Sequence, residues 1–153
     1  MQNSPKFYNY VPDICLVVSI ILVFGLSTLM PQTTMFPQYM RMIGWVILSA
    51  AVILLLLAFS SLKHHRTSIN PIDKPTQLVT RGVYRFSRNP LYLAYVLVAF
   101  GCALASGSWV ALFVPVTYFV IIDRLIIPIE EQQMERAFDA AYAHYSRKVR
   151  RWL

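Results

Sequence analysis

The chain has 153 residues, of which 57% are hydrophobic and 14% are charged, and it carries a net charge of +7. The length suits a single domain, but the composition is far too apolar for a soluble protein. We therefore expect an integral membrane protein in which residues 1–153 form one membrane domain.

Four apolar stretches are predicted to be membrane helices, at residues 11–30, 42–62, 91–105 and 109–127. A helix of about 20 residues crosses the roughly 30 Å of hydrocarbon in a bilayer. The third stretch is short for a full crossing, so it either re-enters the membrane or begins within the basic segment before it. Ser106-Gly107-Ser108 predicts a tight turn. The last two stretches therefore form a helical hairpin whose ends face the same side.

The basic residues predict the orientation of these helices. Most of the 14 Lys and Arg lie before the first stretch, between the second and third, or beyond the fourth. By the positive-inside rule, both termini and the loop from Lys63 to Asn89 are cytoplasmic, and we expect a bacterial inner membrane. A simpler interpretation is that this charge only orients the chain and attracts anionic lipid.

A further helix, at residues 129–148, is predicted to be amphipathic. Acids come first in it and bases last, as the helix dipole favours. Its apolar face is formed by residues at helical spacing, namely Met134, Phe138, Ala141 and Tyr145. The complete prediction is an all-α, polytopic membrane protein with four transmembrane helices and a C-terminal amphipathic helix.

Charged and aromatic residues are predicted to meet where the hairpin reaches the cytoplasm. The loop at residues 63–90 runs into one hairpin helix, and an acid pair leaves the other. The result is a pocket with two walls, with Tyr84, Arg85, Arg88, Asn89 and Tyr92 on one wall and Asp123, Arg124, Glu130 and Glu131 on the other. Such a pocket suits a zwitterionic, aromatic ligand beside a lipidic one. No metal site is expected, because neither Cys15 nor Cys102 has a second ligand at metal spacing.

The order of these motifs resembles a known family. Thr-x-Gly-x-Tyr-Arg-x-x-Arg-Asn-Pro-x-Tyr (Thr80 to Tyr92), a hairpin, Glu130-Glu131, and then Phe138, Tyr142, Tyr145 and Val149 are similar to the isoprenylcysteine carboxyl methyltransferase and phospholipid methyltransferase superfamily of integral membrane enzymes. The resemblance covers roughly the second half of the chain. It implies methyl transfer from S-adenosylmethionine to a lipidic or small apolar acceptor.

Residue by residue, the resemblance implies a cofactor site in the basic loop and the acid pair. The implied cofactor-binding residues are Thr76, Gln77, Leu78, Val79, Tyr84, Arg88, Asn89, Pro90, Leu91, Tyr92 and Glu130. Glu130 would pair with the amino group of the cofactor, Arg88 with its carboxylate, and the tyrosines with adenine or the sulfonium. Simpler interpretations are an interfacial aromatic belt for the tyrosines and a helix cap for Asn89-Pro90.

The acceptor is left open by a departure from the family pattern. Where the prenylcysteine enzymes hold the substrate carboxylate, this chain has Ile126, and the nearest basic residue is Arg124. Two residues turn a helical side chain by about 200°. The implied catalytic residues are Arg124 for the acceptor and Glu131, or Asp123, as the base that a neutral amine would need. A phospholipid N-methyltransferase is the alternative enzyme. A non-catalytic membrane protein that binds a lipid or a partner is the other class, and membrane lipids but no nucleic acid are expected as partners.

Overall fold

A computed structural model describes residues 10–64 and 77–153, apart from the side chain of His64. Within these ranges, five α-helices run in chain order as α1 (Val11–Leu29), α2 (Gln38–His64), α3 (Pro90–Ser106), α4 (Phe113–Ile121) and α5 (Ile127–Lys148). A π-helical turn, Ile122–Ile126, joins α4 to α5. Apart from one isolated bridge between Thr34 and Ser108, the regular structure in these ranges is entirely helical. The all-α class is therefore confirmed.

In the part of the chain that the structure describes, three helical runs are long and apolar enough to cross a membrane, namely Val11–Leu29, Gln38–Lys63 and Val110–Lys148, whereas Pro90–Ser106 is shorter. Large apolar side chains point outward along these helices, as with Ile21, Trp45 and Val116. A bilayer is the solvent that such a surface requires, because lipid tails do not penalise exposed hydrocarbon. The chain is therefore a membrane protein.

Helix α3 lies at the centre of the bundle, and many of its residues are buried. It begins at Pro90, so its start lies next to the predicted one at residue 91. Its buried positions are mostly small, including Ala94, Ala99 and Ala103. Small side chains allow neighbouring helices to approach closely, which is how helices associate when the surrounding lipid is equally apolar.

The closest of these approaches joins α2 and α3 through two glycines. A β-carbon built on Gly44 would lie 2.5 Å from the backbone nitrogen of Ala105. A β-carbon on Gly101 would lie 3.0 Å from the carbonyl oxygen of Gly44. Because the obstructing atoms belong to the backbone, a neighbouring side chain cannot relieve the clash by changing rotamer. The two helices therefore touch backbone to backbone.

At the end of the bundle away from the basic loop, hydrogen bonds tie the two connecting segments together. The hydroxyls of Thr33 and Ser108 lie 2.7 Å apart, and both residues are buried. The Phe36 amide donates to the carbonyl of Gly107 at 3.1 Å. The guanidinium of Arg41 donates to the carbonyl of Ala105 at 3.2 Å, close to the C-terminus of α3. A cation there compensates carbonyls that the helix leaves without a partner.

The start of α1 is fastened to the other helices by two tyrosines. The hydroxyl of Tyr95 in α3 donates to Asp13 at 2.6 Å, and that of Tyr118 in α4 donates to the carbonyl of Pro12 at 3.2 Å. These bonds fix α1 against α3 and α4 at the same end as the basic loop.

The helix continues through Pro128, where the sequence predicts a boundary between two elements. Proline has no amide hydrogen and would break an α-helical ladder in mid-helix. Immediately before it, the amide of Ile127 donates to the carbonyl of Ile122, five residues back. This wider π-helical turn places Pro128 in the first turn of α5, where its missing donor costs nothing.

Helix α5 reverses its direction near Asp139. This residue has φ 40° and ψ −115°, which is not helical geometry. A straight helix would carry Lys148 about 25 Å beyond Glu131, at 1.5 Å per residue. Instead, Arg151 contacts Glu131, and the ring of Trp152 lies 4.9 Å from that of Phe119. The chain therefore doubles back, and residues 149–153, here called the tail, return to the membrane end of α5.

Substituting Gly44 by Ala should destabilise the protein, by about 1–3 kcal/mol for an overpacked contact. The measurement is the thermal unfolding temperature in detergent. Gly25→Ala is the matched control, since a β-carbon at Gly25 meets nothing within 4 Å. It should be neutral, or stabilising by up to about 1 kcal/mol through helix propensity. Equal unfolding temperatures for the two variants would contradict the close crossing of α2 and α3.

Candidate functional site

Two pairs of side chains join the start of α3 to the start of α5. The hydroxyl of Tyr92 donates to a carboxylate oxygen of Glu130. One turn earlier along the chain, the guanidinium of Arg88 lies 3.1 Å from Glu131 in an ion pair that is largely shielded from solvent. Tyr92 and Arg88 are four residues apart, and the two acids are adjacent. The structure thus brings together four residues that the sequence placed on two walls of one pocket.

Arg88 makes further contacts with α5 and with the C-terminal residues. Its guanidinium donates to the Tyr142 hydroxyl at 3.3 Å and lies 6.0 Å from the centroid of that ring. Its backbone amide donates to the carbonyl of Arg150 at 3.0 Å. Among the described residues, however, its buried Nε atom has no hydrogen-bond partner. Buried donors normally have an acceptor, so this atom keeps an unused capacity to donate a hydrogen bond.

The segment before α3 is held against α5 by another tyrosine. The Tyr145 hydroxyl donates to the backbone carbonyl of Tyr84 at 2.6 Å. Burial raises the pKa of the Tyr84 hydroxyl well above its usual range, with smaller contributions from the nearby Tyr145 hydroxyl and Glu130 carboxylate. Tyr84 therefore remains a protonated hydrogen-bond donor at physiological pH.

The remaining loop residues surround this centre to different degrees. Val79 and Pro90 are buried, Leu78 is half-buried, and Leu91 packs against the cluster that contains Tyr92 and Tyr95. Gln77 is exposed. Thr76 lies outside the described residues.

Asn89 does not cap α3 with its side chain. It occupies the capping position, and its backbone carbonyl accepts from the Leu93 amide at 3.0 Å. Its side-chain amide donates instead to the carbonyl of Arg151 at 3.2 Å. Asn89 thus holds the N-cap position, as the simpler interpretation predicted, while its side-chain amide is used to hold the tail.

Two arginines of the predicted walls point away from the centre. Arg85 is exposed and lies over the ring of Phe86, 5.1 Å from its centroid. The side chain of Arg124 is 79% exposed and pairs with Asp123 at 3.3 Å. Ile126, by contrast, is buried.

The tail contributes residues that the sequence reasoning did not assign to the site. Arg151 makes two hydrogen bonds to Glu131, from Nη2 at 2.6 Å and from Nε at 3.2 Å. It also contacts Asp123 at 3.2 Å. Trp152 donates to Asp123 at 2.9 Å. No motif marks these residues, and only the reversal at Asp139 brings them to the acid pair.

A comparison with known families gives one match. The sequence model of the phospholipid methyltransferase family matches residues 39–141. No curated protein and no solved structure matches the chain significantly. The matched region includes the basic loop, α3 and the acid pair, and it leaves out α1 and the tail. Since this match covers more than half of the chain, the resemblance to the superfamily is confirmed: the protein belongs to the phospholipid methyltransferase family and is a membrane methyltransferase.

Proposed function

We propose that this methyltransferase uses S-adenosylmethionine and methylates a lipidic or small apolar acceptor that reaches the site from the bilayer. The observation that carries the proposal is the pairing of Tyr92 with Glu130 beside that of Arg88 with Glu131. These two pairs bring two acids, a guanidinium and an aromatic hydroxyl together at one end of a membrane hairpin.

The polar groups of this centre suit the amino-acid part of the cofactor. Glu130 is held only by the hydroxyl of Tyr92 and forms no ion pair within the described residues, so its carboxylate is available to an ammonium group. The Nε atom of Arg88 is available to a carboxylate. Tyr84 and Tyr92 present aromatic rings to a sulfonium or to adenine. We assign Gln77, Leu78, Val79, Asn89, Pro90 and Leu91 to the surroundings of the same site, together with Thr76.

Bound S-adenosylmethionine supplies an already activated methyl group. The residues of this chain therefore need mainly to align the acceptor and to exclude water. The buried Val79, Pro90 and Tyr92 provide an apolar wall for that purpose. We infer from the distribution of basic residues that the site and both termini face the cytoplasm, with four membrane-crossing helices if α3 crosses completely.

Arg124 is proposed to meet the acceptor at the membrane surface. Its side chain is 79% exposed, so it is positioned for an anionic headgroup rather than for the reacting atom. In the same proposal, Glu131 contributes to the site through its ion pairs with Arg88 and Arg151. Both of its carboxylate oxygens already accept from guanidinium groups, so removal of a proton from the acceptor would require one of these pairs to open.

A second candidate narrows the acceptor to the amine of a phospholipid headgroup. The name of the matched family favours it. A carboxylate acceptor of the isoprenylcysteine type is disfavoured by the buried, apolar Ile126 at the position where a basic residue would be needed.

Substituting Glu130 by Gln should weaken the binding of S-adenosylmethionine at least about tenfold, because a charge-assisted hydrogen bond worth about 1.5–3 kcal/mol is lost. The dissociation constant is measured by calorimetry in detergent. Glu135→Gln, at an exposed position of the same helix, is the matched control and should bind normally. Tyr92→Phe, which removes only the hydroxyl, should have a smaller effect than Glu130→Gln.

An absence of saturable binding to the unmodified protein would overturn the proposal and favour a non-catalytic lipid-binding protein. Normal affinity in Glu130→Gln would remove Glu130 from the cofactor site.

Substituting Arg124 by Ala should impair methyl transfer without changing cofactor affinity. The assay follows labelled methyl groups into vesicles of phosphatidylethanolamine mixed with an anionic phospholipid. KM for the vesicles should rise about fivefold, since one basic side chain near an anionic headgroup contributes about 1 kcal/mol. Arg136→Ala removes the same charge from another exposed position of the chain and serves as the control. Identical kinetics in both variants would exclude an acceptor role for Arg124.

A further inference from the structure

Arg151 connects two carboxylates that belong to different helical segments. Through Nε and Nη2 it forms a bidentate pair with Glu131 in α5, at 3.2 and 2.6 Å. Through Nη1 it reaches both the side chain and the backbone carbonyl of Asp123 in the π-helical turn, at 3.2 and 3.4 Å. The hydrogen bonds to Glu131 raise the pKa of the Arg151 guanidinium above its usual value. All three nitrogens of this guanidinium are therefore in use.

The position of Arg151 is imposed by the basic loop itself. The Ser87 hydroxyl and the Asn89 side-chain amide both donate to the backbone carbonyl of Arg151, each at 3.2 Å. The Arg88 amide donates to the preceding carbonyl of Arg150. Three consecutive loop residues thus hold the tail by its backbone. The Arg151 side chain is consequently directed at the acid pair by the segment proposed to hold the cofactor.

The two adjacent acids would compete for one ammonium group of a ligand, and this arrangement prevents the competition. Glu130 and Glu131 are adjacent carboxylates, and both reach the start of α3. A ligand ammonium would be attracted to either of them. Arg88 and Arg151 together occupy both oxygens of Glu131, whereas within the described ranges Glu130 accepts only from the neutral Tyr92. Two guanidiniums therefore neutralise one acid and leave the other available.

We propose that Arg151 is a positioning residue that acts through Glu131. Its ion pair keeps the Glu131 carboxylate from binding the ammonium group of the cofactor, so that Glu130 alone receives this group. This inference rests on the proposed function, since it assumes an ammonium-bearing cofactor at Glu130. It assigns a role to a residue beyond the matched region 39–141. The device thus belongs to the tail of this chain, which the family comparison does not describe.

The proposal predicts a rescue by a second substitution. In Arg151→Ala, the Oε2 atom of Glu131 loses its partner while Oε1 stays paired with Arg88. The freed oxygen competes for the ammonium, so the cofactor binds but is misplaced. The value of kcat should fall about tenfold, as expected for coupled residues of one ion-pair network, with a smaller change in cofactor Kd. In Arg151→Ala/Glu131→Gln the competing charge is gone, while an amide oxygen remains for Arg88. The double variant should recover most of the lost kcat.

The two measurements are calorimetric titration with S-adenosylmethionine and transfer of labelled methyl groups to phosphatidylethanolamine vesicles, both on the full chain. Arg147→Ala, an exposed position in the last turn of α5, is the control for the lost charge and should behave as the unmodified protein. Arg151→Lys should show an intermediate kcat, because an ammonium cannot form the bidentate pair.

A merely structural role would give a different result. If the double variant is as impaired as Arg151→Ala, or worse, the proposal is wrong and Arg151 only fastens the tail. If Arg151→Ala does not fold, the comparison of Arg151→Lys with Arg151→Lys/Glu131→Gln decides by the same rule. An absence of cofactor binding to the unmodified protein would instead contradict the proposed function. Failure of the proposed function can therefore be told apart from failure of the role proposed for Arg151.

Discussion

The ion pair between Arg88 and Glu131 is the contact on which the arrangement of the site depends. Charged groups at the edge of a bilayer are costly unless they are paired, so each of these residues constrains where the other can lie. Their pairing fixes the start of α3 against the start of α5. The same alignment brings Tyr92 and Glu130 together in a neighbouring contact. Arg151 then closes the pair from the other side.

Much of the fold could be predicted from hydropathy, because lipid selects for long apolar helices with few alternatives. The predicted stretches at 11–30, 42–62 and 91–105 lie on α1, α2 and α3. The path after α4 was not foreseen. Proline usually marks an end, and the sequence contains no signal for the wider turn that accommodates Pro128. The reversal at Asp139 depends equally on tertiary contacts, since φ 40° and ψ −115° lie outside the left-handed helical region that aspartate adopts more readily than most residues.

The candidate site could be predicted where its residues follow one another in a motif. Arg88, Tyr92, Glu130 and Glu131 are recognisable from spacing and from a hairpin that makes its two ends neighbours. The direction in which a side chain points was harder to predict. Arg124 and Arg85 turn outward although their positions in the chain are adjacent to the site. Arg151 could not be found by spacing at all, because its approach to Glu131 is a consequence of the reversal at Asp139.

The π-helical turn sets the side of the helix on which the acid pair lies. Such a turn holds one residue more than an α-helical turn. Each added residue of helix rotates the rest of that helix by about 100°. Removing one residue from Ile122–Ile126 would therefore carry Glu130 and Glu131 to a different side of the helix, out of line with Tyr92. The length of this turn, as much as the identity of its residues, allows Glu130 to meet the start of α3.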